Sequence, residues 1–245
     1  MSTYTVNFSN PITLTSATTA LAYIYNINGG QTQSTSDDTL SSTLNTSTAA
    51  VGKLVIGEKG TGTWCQYCPR GIVGLNWMDY DYKGYWQGIA VHNNDPMTDP
   101  MYDNSISGYL NGYPSAIVDR GSVINASRLD FEKDFLQRIS ISPKALLTNG
   151  AQYDSNSNVL KVSIDLNFQL PTSGTYRVVC TLVEDSVTGT GTQYFQANAF
   201  SGGSPLIDVD GTDWSMLGSN VPSNQMIYRH VARAISPSFL GDPLP

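Results

Sequence analysis

The chain is short of charge: Lys, Arg, Asp and Glu make up 13% of its 245 residues, against about 25% in ordinary soluble domains. Thirteen basic residues stand against 20 acidic ones, a net charge of −7. No surplus of Lys and Arg exists to neutralise a row of phosphates, which argues against a nucleic-acid partner. The same shortage leaves no basic cluster for an anionic membrane surface. No apolar run approaches the roughly 20 residues of a membrane-spanning helix. Met1-Ser2-Thr3-Tyr4-Thr5 lacks the basic start and apolar core of a signal peptide. Either the protein is cytosolic or this is a mature piece of an exported protein whose targeting segment has been removed, and the second is the expectation. With three cysteines and two histidines, the chain cannot build a disulfide framework.

Ser, Thr, Asn and Gly fill the space that charge leaves, a composition that suits secreted and cell-surface β-rich proteins. Within it stands one motif with chemistry: Thr61-Gly62-Thr63-Trp64-Cys65-Gln66-Tyr67-Cys68-Pro69-Arg70. A strand-like run, Lys53 to Ile56, precedes this Trp-Cys-x-x-Cys, and a helix-like run, Ile72 to Met78, follows it. Further on, Gly112-Tyr113-Pro114-Ser115-Ala116-Ile117-Val118 places a proline before another apolar strand. A strand, a dithiol at a helix start and a proline entering a later strand make up a thioredoxin-like site. That arrangement points to dithiol–disulfide exchange with protein thiols or disulfides, for which no cofactor is expected.

Three regions follow from composition and periodicity. Residues 1–50 are rich in Thr, Ser and Asn and read as strands at Tyr4–Phe8, Ala20–Ile27 and Thr39–Leu44. Residues 51–142 alternate strand and helix in α/β order. Asp99 before Pro100 is a natural cap and first helical position, and Ser127 caps an amphipathic run from Arg128 to Ile139. Residues 143–245 return to strands, at Ala145–Thr148, Val159–Phe168, Gly174–Glu184 and Gln225–Ala234. The expected fold is an α/β thioredoxin-like domain combined with an Ig-like β-sandwich region that draws strands from both termini, its last part incomplete.

Residues 52–234 resemble the outer-membrane-protein-28-related family of exported, thioredoxin-like proteins of Gram-negative cell envelopes. The resemblance rests on Gly62-Thr63-Trp64-Cys65 with Cys68-Pro69-Arg70-Gly71, and on His92 with Asp95-Pro96-Met97. Gly112-Tyr113-Pro114-Ser115, Asp119-Arg120, Tyr176-Arg177, Leu182-Val183-Glu184-Asp185 and Tyr228, His230, Val231 and Arg233 continue it. It implies a periplasmic, outer-membrane-associated or secreted protein. Such proteins continue past the His230 strand with further strands.

In a site of this type Cys65 would be the nucleophile, its thiolate favoured by the helix N-terminus, and Cys68 the resolving cysteine. Trp64 would pack beside the site. Pro114 would be a cis proline facing the dithiol, and Tyr113 before it would offer backbone hydrogen bonds to an extended substrate. Glu58, seven residues before Cys65, or Lys59 could act as a buried proton relay; a solvated strand end is the competing reading. The dithiol could instead be a permanent disulfide in a surface or assembly protein whose β region binds a partner or a second copy. A zinc site would need two further ligands, and only Cys180, His92 and His230 remain, all distant in sequence, so no metal is expected there. Cys180 sits by period two on the more apolar side of its strand, as a buried small hydrophobe. His92 reads as lining the site or as a structural hydrogen-bonding residue, His230 as packing. Asp208, Asp210 and Asp213 have calcium-loop spacing but lack the distal Glu, and a polar turn explains them as well.

Overall fold

The computed structural model describes residues 18–23, 39–44, 47–169 and 174–244. They fall into two compact units, one ending at Thr48 and the other beginning at Ala49. In the first, β1 (Thr18–Tyr23) and β2 (Thr39–Leu44) pair antiparallel, Thr18 opposite Leu44. The strand expected at Tyr4–Phe8 lies outside the described residues.

The second unit holds the remaining elements in this order: β3 (Val55–Thr61), α1 (Pro69–Asp81), β4 (Trp86–His92), α2 (Pro100–Ile106), β5 (Ser115–Val118), β6 (Val123–Asn125) and α3 (Arg128–Arg138). There follow β7 (Ala145–Asp154), β8 (Val159–Phe168), β9 (Arg177–Val178), β10 (Cys180–Glu184), β11 (Gln196–Ala197), β12 (Asn220–Val221), β13 (Val231–Ser236) and β14 (Asp242–Pro243). The main sheet has six strands in the order β10-β13-β4-β3-β5-β6. β4 runs parallel to β3, Val55 opposite Trp86, while β5 runs antiparallel to β3 and β6 antiparallel to β5.

Local chemistry sets the helices. Pro69 opens α1, where its missing N–H costs nothing. Asp99 caps α2 by accepting from Tyr102 N at 2.8 Å, and Ser127 caps α3 by accepting from Asp130 N at 3.2 Å. β3 is buried along both faces, as a central strand covered on each side must be. On one face α1 and α3 pack through Leu75, Met78, Phe131 and Phe135 against Val55 and Trp86. Gly57 makes room for the Trp86 ring, which a Cβ there would meet at 2.2 Å. On the other face Tyr102 and Ile106 of α2 join Ile89, Val91, Ile117, Ala232 and Phe239.

The described residues show no Ig-like sandwich; two C-terminal strands instead join the main sheet. β13 lies parallel to β4, with Val231 opposite Ala90, and β10 lies antiparallel to β13. The main sheet therefore crosses the boundary expected at residue 142. Apolar alternation marks a strand but does not name its neighbour, and β4 offered an edge that needed covering. Among the described residues the rest of this region forms two-stranded sheets, β7–β8, β11–β12 and β9–β14. The strand read at Gln225–Ala234 begins only at Val231, because His230 takes a left-handed φ of 60° that interrupts extended backbone.

Candidate active site

β3 delivers the chain to the C-terminal edge of the sheet and α1 carries it away. Between them Cys65 and Cys68 form a disulfide with Cα atoms 5.3 Å apart. Cys68 is the cap residue of α1, its carbonyl accepting from Gly71 N at 2.9 Å and from Ile72 N at 3.0 Å. The helix's first-turn N–H groups and its positive dipole end therefore lie at the dithiol, where they favour thiolate over thiol. Both cysteines are buried, Cys65 3% and Cys68 0% exposed.

Trp64 is half exposed and donates its indole Nε1–H to Asn93 O at 2.7 Å. The Tyr113–Pro114 bond is cis. Tyr113 meets the Trp64 ring edge on at 5.6 Å and donates its hydroxyl to Asp103 at 3.1 Å. Burial and the neighbouring Asp103 carboxylate push its phenol up to about 12. The sequence-predicted residues Trp64, Cys65, Cys68, Tyr113 and Pro114 thus lie on two adjoining loops.

Glu58 is placed elsewhere. Strand alternation sends neighbouring side chains to opposite faces, and Glu58 goes to the α2 face. There it accepts from Tyr102 Oη at 2.6 Å and pairs with Arg120 at 3.3 Å, on a groove of about 540 Å³. Arg120 also lies over the Phe239 ring and donates to the Phe239 carbonyl. Lys59 points to the α1 face and is 1% exposed. Its stem runs under Gly71, in the turn capped by Cys68; a Cβ on Gly71 would come within 2.7 Å of Lys59 Cδ. Burial lowers its amine to about 7, partly opposed by Asp208.

His92 is buried and its Nδ1 lies 2.6 Å from Asp95 Oδ2. The same carboxylate oxygen accepts from Thr63 N at 2.9 Å, so the pair is bonded directly to the dithiol loop. Burial is the main cause that lowers the His92 pKa. His230 is buried with Nε2 unpartnered, in line with packing.

Sequence reasoning missed the segment Gln196-Ala197-Asn198-Ala199-Phe200, which runs along the dithiol loop. Ala197 N donates to Thr63 O and Ala199 N to Gln66 O, each at 2.8 Å. The fully buried Gln196 side chain donates to Cys65 O at 3.0 Å and Gly62 O at 3.3 Å. Phe200 meets Tyr67 edge on. No local signal in those five residues marks this role; a buried Gln is visible only in three dimensions.

The expectation for Cys180 changes, and the aspartates take the turn reading. Val179 and Val183 of the β10 strip face the core, so Cys180 lies on the opposite side, half-buried and free. Both sides of that strand are apolar in sequence, and alternation alone could not choose between them. The aspartates at 208, 210 and 213 build turns. Asp208 accepts from Asn76 Nδ2, Asp210 from Thr212 N, and Asp213 from Leu206 N and Ser215 N. Among the described residues no group of three or more acidic, His or Cys side chains is arranged to hold a metal ion. No helix among them is long and apolar enough to cross a membrane.

Parallel β3 and β4 with antiparallel β5 and β6, α1 and α3 on one face and α2 on the other, and a dithiol at the start of α1 settle the architecture. The fold is thioredoxin-like. HBP35 of Porphyromonas gingivalis shares it at a TM-score of 0.52 and 19% identity, over 81% of this chain and 61% of that one. This chain thus spans less than two thirds of HBP35. A structural-genomics protein from Agrobacterium tumefaciens matches at a TM-score of 0.44 and 18% identity, over 80% of this chain and 78% of that one, too distantly to carry structural argument. No family model matches the sequence, and no curated protein matches it.

Proposed function

We propose that this chain is a thiol–disulfide oxidoreductase-like protein of the cell envelope, related to the outer-membrane-protein-28-related family and acting on protein thiols or disulfides. The observation that carries the reading is the Cys65–Cys68 pair at the N-terminus of α1 in a thioredoxin-like sheet. In the reducing direction Cys65 thiolate attacks a substrate disulfide. A bond forms from its Sγ to one substrate sulfur, and the other sulfur leaves as a thiolate that takes a proton from water. Cys68, once deprotonated, attacks Cys65 Sγ, closes the disulfide and releases the second substrate thiolate. Two electrons pass from the dithiol to the substrate. The reverse sequence oxidises a substrate dithiol.

The test is the redox potential of the pair, by equilibration with dithiothreitol or glutathione and alkylation read by mass spectrometry. A potential between those of thioredoxin and the strong periplasmic oxidants, roughly −270 to −120 mV, supports the reading. Cys65→Ser is expected to abolish turnover, and Cys68→Ser to accumulate mixed disulfides. If both variants turn over a test disulfide like the parent, the reading fails. An exported location is tested by fractionating the native host.

Two observations favour a second reading, a surface or assembly protein with a locked disulfide. Both cysteines are buried, and one face of the β7–β8 hairpin exposes Leu147, Tyr153, Leu160 and Val162, an apolar surface of the kind that binds a partner or a second copy. A disulfide whose own potential lies below about −300 mV, and which is reduced only once the protein unfolds, decides for this alternative.

A further inference from the structure

At Thr63 and Trp64, just before Cys65 in the chain, a groove of about 380 Å³ opens between the dithiol loop and the C-terminal region. Trp64 and Asn94 form one side; Gln193, Phe195 and Asn220 form the other. Its width is fixed by backbone. Ala197 N holds Thr63 O at 2.8 Å, and Gln196 and Ala197 pair with Val221 and Asn220. Residues from distant parts of the chain thus make two walls of one cleft, and Thr63 and Trp64, the two residues before Cys65, belong to it.

Among the described residues the lining contains one ionisable side chain, that of Asp95. Its side chain is 1% exposed, and its carboxylate is taken up by Thr63 N, Met97 N and His92 Nδ1. It offers the cleft no accessible charge. What remains is amide, hydroxyl and aromatic surface. Trp64, Gln66 and Tyr67 of the dithiol loop are exposed and uncharged as well. A charged side chain entering such a cleft loses water and gains no counter-charge. A Ser, Thr, Asn or Gln finds amide partners, and the peptide can lie against the Trp64 and Phe195 rings.

We infer that this cleft is a specificity subsite for the residues flanking a substrate cysteine, and that it selects uncharged, hydroxyl- and amide-bearing peptide segments. The inference rests on the oxidoreductase reading for its catalytic use, but the cleft's binding preference can be measured without turnover.

The experiment has two arms. In the first, the reduced protein is given mixed-disulfide peptides of equal length whose cysteine is flanked by Ser/Thr/Asn, by Asp/Glu or by Lys/Arg. The uncharged set is expected to react at least tenfold faster than either charged set. A simple effect of the net charge of −7 would instead favour the basic set and fade with salt; that result overturns the inference. Gln193→Lys and Asn220→Lys are each expected to shift the preference about tenfold toward acidic peptides. Unchanged ranking in both variants also overturns it. In the second arm, the oxidised protein is titrated with Cys→Ser versions of the same peptides and followed by NMR. The uncharged set is expected to move the Trp64 indole and the Thr63, Asn94 and Ala197 amides. If these signals move but no peptide disulfide is turned over, the cleft stands and the oxidoreductase reading falls. If turnover occurs without discrimination and these signals stay still, the cleft inference falls alone.

Discussion

Trp64 and Tyr113 meet edge to face with ring centroids 5.6 Å apart, joining the dithiol loop to the loop of the cis Tyr113–Pro114 bond. An aromatic pair of this geometry contributes about 0.5–1.5 kcal/mol beyond its buried area. Trp64→Ala and Tyr113→Ala are each expected to raise KM for a peptide disulfide about two- to tenfold by that magnitude. The double variant should cost less than the two effects combined, since one contact is being lost twice. Strict additivity would show that the pair does not act together.

Lys59 gives the fold a pH dependence with a definite sign. Its folded-state amine lies at about 7, lowered from 10.5 by burial. Between those values the unfolded chain binds a proton that the folded chain does not, so stability rises with pH across that window. Below pH 7 the cost of holding the charge is present in full. Lys59→Met is therefore expected to raise the urea midpoint most at pH 6, with the advantage shrinking toward pH 10. A gain independent of pH would show that Lys59 is charged and well paired in the folded state.

Gln196 closes the underside of the dithiol loop. Gln196→Leu leaves the carbonyls of Gly62 and Cys65 without its buried donor, a loss of about 1–3 kcal/mol. The variant should melt earlier, and dithiothreitol should reduce its Cys65–Cys68 bond faster while the protein is still folded. An unchanged reduction rate alongside a lowered Tm would make the residue purely structural.

The two side-chain caps offer a check on the helices themselves. Asp99→Ala and Ser127→Ala each remove one capping acceptor, at a cost of about 1 kcal/mol. In a unit of this size that lowers Tm by about 2–4 °C per cap. Asp99→Ala carries the larger consequence for the site, because α2 presents Asp103 to Tyr113.

These caps were legible in the sequence, as were the dithiol, the proline at the start of α1 and the α/β order around them. Each is a local pattern whose meaning is carried by residues within one turn of each other. Glu58 and Lys59 show where local reading stops. Both are charged and adjacent, and only the register of β3 decides which lies under α1 and which meets Arg120. The segment from Gln196 to Phe200 was invisible for a stronger reason: its partners are backbone carbonyls of Gly62, Thr63, Cys65 and Gln66, and a carbonyl leaves no trace in residue identity. The same holds for β13, whose partner β4 is fixed by topology and not by its own alternation.

The position of β13 has a consequence for synthesis. β4 leaves the ribosome long before β13 exists, so the nascent chain presents an uncovered parallel edge at Ala90 until β13 emerges. Folding of the dithiol sheet is thereby tied to synthesis of β13. A fragment cut after α3 would carry both cysteines yet keep that edge open, and self-association of such fragments is the expected result.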